Sequence, residues 1–219
     1  MRRLTAIAVV AGVIVVLLVI AQLVLPGIAA NRLKDRLKKS GDVIEVKVSA
    51  FPAIKLLWHH ADSVRIRVGT YRAAPSSVGS QLAQAGDAGS IDASATQFTS
   101  GLLTVHDATL RKRGNQLTAT ARVEDADLVR AVPILESVQP VASGNGQLVL
   151  RGTASLFGVS ATVNATVAAS GGKLVIAPDV PFGALATITV FSNPHVSVQG
   201  VSATPAPGGF TVTAHATVK

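Results

Sequence analysis

Val159-Ser160-Ala161-Thr162-Val163-Asn164-Ala165-Thr166-Val167 is the stretch of sequence that decides the fold class. Valine and alanine occupy one set of alternate positions, and serine, threonine and asparagine occupy the other. Because successive side chains of a β-strand point to opposite faces, this period of two predicts a half-buried strand about 30 Å long. A helix would spread the same apolar residues around its whole circumference, so the stretch favours a β fold.

The same alternation recurs in four other segments of the chain. In the first of them Ile44, Val46 and Val48 are predicted to share one face, opposite Glu45 and Lys47. The other three segments are 63–68, 117–123 and 210–218. Glycine-rich turn sequences lie where hairpins would reverse, and Gly200 interrupts an alternation as a bulge would. The turn sequences are Gly144-Asn145-Gly146, Ser170-Gly171-Gly172 and Pro207-Gly208-Gly209.

These patterns predict a mainly β (α+β) domain of long, curved antiparallel strands over residues 41–219. Short helices are predicted at 51–59, where Pro52 takes the first position, and at 125–132, which begins with acidic residues. Residues 73–101 are rich in Ala, Ser, Gly and Gln. We predict a flexible insertion there, with a short helix around 78–85.

The N-terminal segment is predicted to be a membrane element. No charged residue occurs from Leu4 to Asn31, and the part up to Leu25 would span roughly 33 Å as a helix, enough for a bilayer core. An uncleaved transmembrane anchor over residues 1–30 is one interpretation. A secretory signal peptide is the other, because Gly27-Ile28-Ala29 offers a small-x-small cleavage site.

The net charge of +8 is concentrated in the first 40 residues, which contain seven Lys or Arg and one Asp. The domain itself is therefore nearly neutral, and nucleic-acid binding is not predicted. Residues 31–40 form a basic juxtamembrane linker that would lie against anionic headgroups, although a solvated helical linker explains them equally well. Counting charges on the two sides of the apolar segment would leave the domain in the cytoplasm. The predicted membrane-surface residues are Arg32, Lys34, Arg36, Lys38 and Lys39.

Catalytic and metal-binding signatures are absent from the sequence. The chain has no cysteine, and it contains no phosphate-binding loop, nucleophile elbow or zinc-protease motif. Glu124, Asp125 and Asp127 are explained as helix-capping residues. We therefore predict neither an enzyme nor a cofactor or metal site.

Two features favour lipid binding. The inward positions of the longest strands are small, as at Ala161, Ala165, Ala214 and Ala216, so either a closely packed helix or sheet or an acyl chain must fill the space beside them. Three cations, Arg111-Lys112-Arg113, stand at a predicted hairpin tip, either as a solvated turn or as a phosphate-binding site.

The chain resembles the LmeA-like family of actinobacterial phospholipid-binding proteins over roughly residues 30–219. Four segments carry this resemblance. They are the strand Ile44-Glu45-Val46-Lys47-Val48, the segment Phe51-Pro52-Ala53-Ile54-Lys55-Leu56-Leu57, the strand Val64-Arg65-Ile66-Arg67-Val68, and Val196-Ser197-Val198 leading through Pro207-Gly208-Gly209 to Phe210-Thr211-Val212-Thr213-Ala214.

The resemblance implies an exported, envelope-facing protein that binds phospholipid and supports cell-envelope lipid or glycolipid maturation. It places the domain on the extracytoplasmic side of the cytoplasmic membrane, against the charge count. A phospholipid, the membrane and an envelope biosynthesis protein are the expected partners. The alternative is a non-enzymatic envelope scaffold that binds a protein and no lipid. The predicted lipid-binding residues are Phe51, Ile54, Leu57, Trp58, Arg65, Arg67, Arg111, Lys112, Arg113, Ala161 and Ala165.

Overall fold

The computed structural model describes residues 25–38, 40–51, 56, 60–73, 88–101, 103–131, 135–156, 159–179 and 187–218. Helix α1 spans 25–38 and helix α2 spans Asp125–Ala131. The strands are β1 (Gly41–Ser49), β2 (Ala61–Ala73), β3 (Ala88–Ser100), β4 (Leu103–Arg113), β5 (Gln116–Glu124), β6 (Leu135–Gly144), β7 (Gln147–Leu156), β8 (Val159–Ser170), β9 (Lys173–Pro178), β10 (Ile188–Phe191), β11 (Val196–Ala206) and β12 (Gly209–Val218).

The strands form two open sheets, which confirms the predicted mainly β architecture. The seven-stranded sheet has the order β1-β2-β3-β4-β5-β12-β11, and the five-stranded sheet has the order β10-β9-β8-β7-β6. Most neighbours are antiparallel, as predicted from the alternating pattern. The pair β2–β3 is parallel and is an exception to that prediction.

The three predicted turns are all present and join β6 to β7, β8 to β9, and β11 to β12. Asn145 and Gly146 have φ values of 53° and 74°. Positive φ at both central residues is the geometry of a type I′ turn, which suits the twist of a hairpin. The predicted bulge at Gly200 is also present, since the β11–β12 register shifts between Val198 and Gly200.

The prediction of a flexible insertion is wrong for residues 88–100. These residues form β3, which pairs with β2 on one side and β4 on the other. A strand with two neighbours receives hydrogen bonds along both edges, so small side chains such as Ser and Ala do not prevent it from forming. The predicted short helix around 78–85 lies outside the described residues.

The main core lies between the two sheets. Phe210, Val201 and Val123 of the seven-stranded sheet pack against Leu148 and Val167 of the five-stranded sheet. The predicted helix at 125–132 is confirmed as α2, and its Leu128 packs against the same core. We call the side of the seven-stranded sheet that faces this core the inner face, and the opposite side the outer face.

Helix α1 joins the domain through Leu37, which packs in a cluster with Val43, Val68 and Tyr71. In the described part of the chain, no helix is long and apolar enough to cross a membrane. The predicted anchor lies outside the described residues up to position 24. The predicted helix at 51–59 likewise lies outside them, apart from Phe51 and Leu56.

Strand β1 differs from its predicted pattern at one position. Ile44 was expected to share the buried face with Val46 and Val48, but it is 66% exposed. The register with β2 shifts between Val43 and Glu45, and such a bulge turns the extra residue away from its former face. Val43 takes the inward position instead.

A similar reversal crosses the three neighbouring strands. In each of these strands, two inward-facing residues are three positions apart along the chain, whereas strict alternation would place them two positions apart. The pairs are Val68 and Tyr71 in β2, Ala95 and Phe98 in β3, and Ala108 and Val105 in β4. The pairing of β2 with β3 and of β3 with β4 stays in register through this point, whereas the register of β4 with β5 shifts between His106 and Thr109.

Candidate functional site

The middle of the inner face is lined by alanine. In one cross-strand row Ala93 pairs with Leu110, Leu110 with Ala119, and Ala119 with Ala214. All the alanines of this face are half-buried. Branched residues stand on both sides of them, on β1 and β2 and on β11. The alanine face consists of Ala93, Ala95, Ala108, Ala119, Ala121, Ala214 and Ala216.

Larger side chains close both ends of the alanine face. At one end Ile91, Lys112 and Leu117 form a cross-strand row, and all three are buried. At the other end the rings of Tyr71 and Phe98 stack with a centroid distance of 6.1 Å and an interplanar angle of 13°. The face is therefore a bounded apolar depression within the sheet.

The five-stranded sheet leaves much of this depression uncovered. It packs mainly on β11 and β12, at one side of the seven-stranded sheet. The alanines of β3, β4 and β5 lie beyond that contact. Because alanine side chains are short, the depression can accept an apolar ligand over several strands.

The predicted apolar ligand contacts do not converge on this depression. Ala161 and Ala165 share the core-facing side of β8 with Val167, in the other sheet. Ala161 is exposed and Ala165 is half-buried between Leu150 and Pro178 in register. Phe51 is 75% exposed. Ile54, Leu57 and Trp58 lie outside the described residues.

The predicted headgroup cations divide between the two faces of the seven-stranded sheet. Lys112 points inward, is 3% exposed and donates a hydrogen bond to the carbonyl of Ala88. Arg65, Arg67 and Arg111 are exposed on the outer face. Arg111-Lys112-Arg113 does precede a turn, at 114–115, but its side chains do not form one cationic tip because strand alternation separates them.

Arg113 is held on the outer face by a carboxylate. Its Nη2 lies 2.9 Å and 3.0 Å from the two carboxylate oxygens of Asp92. The pair is partly exposed, so it contributes little to stability. A headgroup phosphate at this position would have to share Arg113 with Asp92.

The predicted membrane-surface cations lie on α1. Arg32, Arg36 and Lys38 are exposed, and Lys34 is half-buried. Lys39 lies outside the described residues. Leu33 and Leu37, which are four residues apart on this helix, are half-buried, which agrees with a helix that packs on one side only.

Most residues of the alanine face were not identified as site residues from the sequence. The alternation in 117–123 does place Ala119 and Ala121 inward, but only the register shows that they adjoin Ala93 and Ala214. The available signal was the low volume of the inward positions in β5 and β12. β3 was not predicted as a strand because its sequence is rich in Ala and Ser.

A cluster of His106, Glu124 and Asp127 brings three ligand-type atoms within 4.8 Å of one another. Each carboxylate also has a cationic neighbour. Arg130 donates to Asp127 at 2.7 Å, and Arg122 Nε lies 3.9 Å from Glu124. We interpret the cluster as a set of hydrogen bonds and ion pairs that joins α2 to β4 and β5.

A separate open cleft of about 280 Å³ lies between the β8–β9 turn and the connection from β10 to β11. It is bordered by Gly172, Lys173, Asn193 and Ser197. These groups are mostly polar. It does not provide an acyl-chain site.

Comparison with known proteins adds to this geometry. The family model described as LmeA-like phospholipid-binding matches residues 18–209. The chain belongs to this family. The match includes every strand except β12 and every residue of the alanine face except Ala214 and Ala216, and it confirms the resemblance seen in the sequence. No protein of curated function matches the chain.

Two solved structures share limited similarity with the chain. The Zhui aromatase/cyclase from Streptomyces sp. R1128 is 17% identical, with a TM-score of 0.19, and the match covers 48% of this chain and 66% of that one. A STAR-related lipid transfer protein fragment from Xanthomonas axonopodis is 10% identical, with a TM-score of 0.17, covering 52% of this chain and 76% of that one. Neither similarity is high enough to carry an argument about function.

Proposed function

We propose that this member of the phospholipid-binding family holds the acyl chains of a phospholipid on its alanine face. The observation that carries the proposal is the half-buried row Ala93–Leu110–Ala119–Ala214. The side chains of this row are short, and the row lies beyond the region where the five-stranded sheet packs on the seven-stranded sheet. An apolar chain lying there would complete the packing.

The expected energy is sufficient for a stable complex. Each methylene removed from water contributes roughly 0.8 kcal/mol. A stretch of about five methylenes on the alanine face would then contribute about 4 kcal/mol, or roughly a thousandfold in affinity. The protein needs no catalytic group for this role, and the family to which it belongs is described by lipid binding.

We further propose that residues 1–30 act as a single-pass anchor or a cleaved signal, with the domain on the extracytoplasmic side of the cytoplasmic membrane. The uncharged run from Leu4 to Asn31 supports a membrane element. Family membership supports the envelope-facing side and a role in envelope lipid or glycolipid maturation. The exposed cations of α1 would then lie next to anionic headgroups.

Replacement of alanine by leucine tests the site. Ala119→Leu and Ala214→Leu each place a larger apolar side chain in the depression, where it competes with the ligand. Native mass spectrometry of the full chain released from detergent measures the fraction that carries phospholipid. We expect that fraction to fall about tenfold or more, which is roughly 1.4 kcal/mol.

Thr204→Leu is the matched control, because Thr204 is exposed on the outer face of β11, next to the buried Ala203. It adds an apolar side chain to the same sheet without entering the depression, so lipid loading should not change. Equal loading of all three variants would contradict the alanine face as the site. A wild-type chain that carries no phospholipid would contradict the function itself.

A second function, a scaffold that binds a protein partner, is favoured by one observation. Ile188 and Val190 of the short edge strand β10 are 64% and 51% exposed. Apolar side chains on a free strand edge can pair with a strand of another protein. Loss of a protein partner on Val190→Lys, with lipid loading unchanged, would support this second function.

A further inference from the structure

The outer face of β1–β4 carries cations in register on neighbouring strands. Lys47 pairs with Arg65 and Arg65 with Asp92, which in turn pairs with Arg111. Arg67 lies beside Arg65 on β2, and Arg113 follows Arg111 on the same face of β4. We call these residues the cationic surface. It comprises Lys47, Arg65, Arg67, Arg111 and Arg113, with Glu45 and Asp92 as the acidic residues in the same cross-strand rows.

Positive charge exceeds negative charge on this surface. Glu45 lies within ion-pair distance of Lys47 and is 3.7 Å from Arg67. Asp92 is held by Arg113. In these rows two carboxylates therefore face five cations, and the exposed Asp42 adjoins them beside Ile44. The side chains of Lys47 and Arg67 are 70% and 61% exposed. The excess is concentrated on one side of a domain that is nearly neutral overall.

An exposed apolar side chain adjoins the cationic surface. The bulge in β1 turns Ile44 outward, and its Cδ1 lies 3.9 Å from where a Cβ would stand on Gly69. Gly69 follows Arg67 by two residues in β2, so Ile44 lies over the part of the sheet that presents Arg67. The Cβ of the exposed Asp42 lies 3.7 Å from the same point, so Ile44 stands at the border of the cationic surface, beside one carboxylate. An exposed isoleucine at the border of a cationic surface is suited to an interface where charged headgroups lie above hydrocarbon.

Helix α1 does not cover this surface. Its Leu37 packs on the inner face, with Val68 and Tyr71. The outer face of β1–β4 and the alanine face are thus on opposite sides of the same sheet. An outer-face cation and an alanine-face acyl chain are separated by the sheet itself, so the cations need a different anionic partner from the headgroup of a lipid lying in the depression.

We propose that the cationic surface docks on an anionic phospholipid bilayer, with Ile44 entering the headgroup region. The inference rests on the proposed function, because a protein that carries phospholipid must meet the bilayer that supplies it. Charge complementarity and the adjoining isoleucine favour a bilayer over a nucleic acid, since the cationic surface contains no aromatic side chain on which bases would stack. Each exposed cation contributes to attraction within a Debye length of the membrane.

Site-specific labels on the full chain test this orientation. The natural chain has no cysteine, so Thr109→Cys and Val190→Cys each provide a single thiol for an environment-sensitive fluorophore. Thr109 is exposed on the outer face of β4, in the cross-strand row that runs from Glu45 through Arg67 and Ser94. Val190 is 51% exposed on β10 of the other sheet. Vesicles of phosphatidylglycerol and phosphatidylcholine carry a quencher on their headgroups, and pure phosphatidylcholine vesicles are the comparison.

We expect strong quenching of the Thr109 label, weak quenching of the Val190 label, and loss of the difference in pure phosphatidylcholine or at 0.5 M salt. Arg65→Gln with Arg67→Gln should reduce quenching at Thr109 to the level at Val190. Arg151→Gln with Lys173→Gln removes the same charge from exposed positions of the five-stranded sheet and should have no effect.

Equal quenching of the two labels, or quenching at Thr109 that survives loss of Arg65 and Arg67, would overturn the proposal. Lipid loading, measured in parallel, separates it from the proposed function. A chain that carries lipid but binds vesicles through another surface would contradict only the proposal that the cationic surface docks on the bilayer. A chain that docks through the cationic surface while carrying no lipid refutes only the alanine-face site.

Discussion

Gly200 of β11 lies directly against Gly146 of the β6–β7 turn. A Cβ built on Gly200 would stand 2.9 Å from the Gly146 Cα, and the N–H of the next residue, Val201, donates to the Gly146 carbonyl at 3.0 Å. In the β8–β9 turn, Gly172 accepts a hydrogen bond from Val198 at 2.9 Å. The turns of the five-stranded sheet therefore occupy the edge of the seven-stranded sheet.

Gly200→Ala should destabilise the domain by about 1–3 kcal/mol, because the added methyl group overlaps the Gly146 backbone and the turn must move. Gly144→Ala is the matched control, since nothing lies within 4 Å of its Cβ position, and its effect should stay within about 0.5 kcal/mol. Thermal unfolding of the full chain, followed by circular dichroism, measures both. Equal melting temperatures would show that the two sheets tolerate separation at this edge.

Asp127→Asn should release α2 from the sheets. The Asp127 side chain is 8% exposed and lies 2.8 Å from His106 Nε2 and 2.7 Å from Arg130 Nη1. Loss of its charge weakens two charge-assisted hydrogen bonds at a buried position, which costs about 1–3 kcal/mol. Hydrogen exchange of the α2 amides is the measurement. Asp35→Asn, which affects the exposed pair with Lys38 at 3.9 Å, should leave stability unchanged.

Glu45→Gln should strengthen adsorption to anionic vesicles, because it removes one of two carboxylates from the cationic surface. The hydrogen bond from Lys47, with the nearby charges of Lys47, Arg67 and Arg65, holds the pKa of Glu45 below its ordinary value. The ionised carboxylate therefore favours the folded state at neutral pH, and this contribution is lost as the pH falls through the lowered pKa. Vesicle flotation at neutral pH, with Glu136→Gln as the exposed control, tests the change; equal flotation would contradict it.

Ala161→Leu and Ala165→Leu test the residues that were predicted for the acyl-chain trough. Ala161 is exposed, so leucine there should change stability by less than about 0.5 kcal/mol. Ala165 lies between Leu150 and Pro178 in register, and overpacking there should cost about 1–3 kcal/mol. Neither change should reduce lipid loading as much as Ala119→Leu. A tenfold loss of bound lipid with Ala165→Leu would return the site to the five-stranded sheet.

A reporter that is active only outside the cytoplasm, fused after Lys219, should give signal. The expectation follows from family membership and opposes the charge count around the apolar segment. N-terminal sequencing of the same protein separates the two forms of residues 1–30: Met1 or Arg2 indicates an anchor, and a start near Ala30 indicates cleavage. Activity only from a cytoplasmic reporter would contradict the extracytoplasmic location.

The parts of the fold that a local residue pattern determines could be predicted from the sequence. Alternation located β5, β8 and β12, and positive-φ turn sequences such as Asn145-Gly146 located the hairpins. The strand β3 was missed because its stability comes from pairing with β2 and β4, which are distant parts of the chain. Ile44 was placed on the wrong face because a single bulge, invisible in the local pattern, shifts the register.

From the sequence, only the chemical character of the candidate site could be predicted. Small inward residues such as Ala214 pointed to an apolar space beside long strands, and small residues do face inward in the middle of the seven-stranded sheet. Which alanines meet was not predictable, because Ala119 and Ala214 become neighbours only through the pairing of β5 with β12. The same limit explains the predicted tip Arg111-Lys112-Arg113: three consecutive cations suggested a phosphate site, while strand alternation places Lys112 on the opposite face from Arg111 and Arg113.

The turn contacts on β11 also limit how copies of this protein could associate. Strand pairing between molecules propagates only when each copy offers two free edges of the same sheet. The β11 edge already gives the N–H groups of Val198 and Val201 to the two turns, whereas β1 stands at the other end of the strand order. Strand pairing between copies through the seven-stranded sheet is therefore expected at β1, where it would join two copies without leaving a second open edge of that sheet for a third.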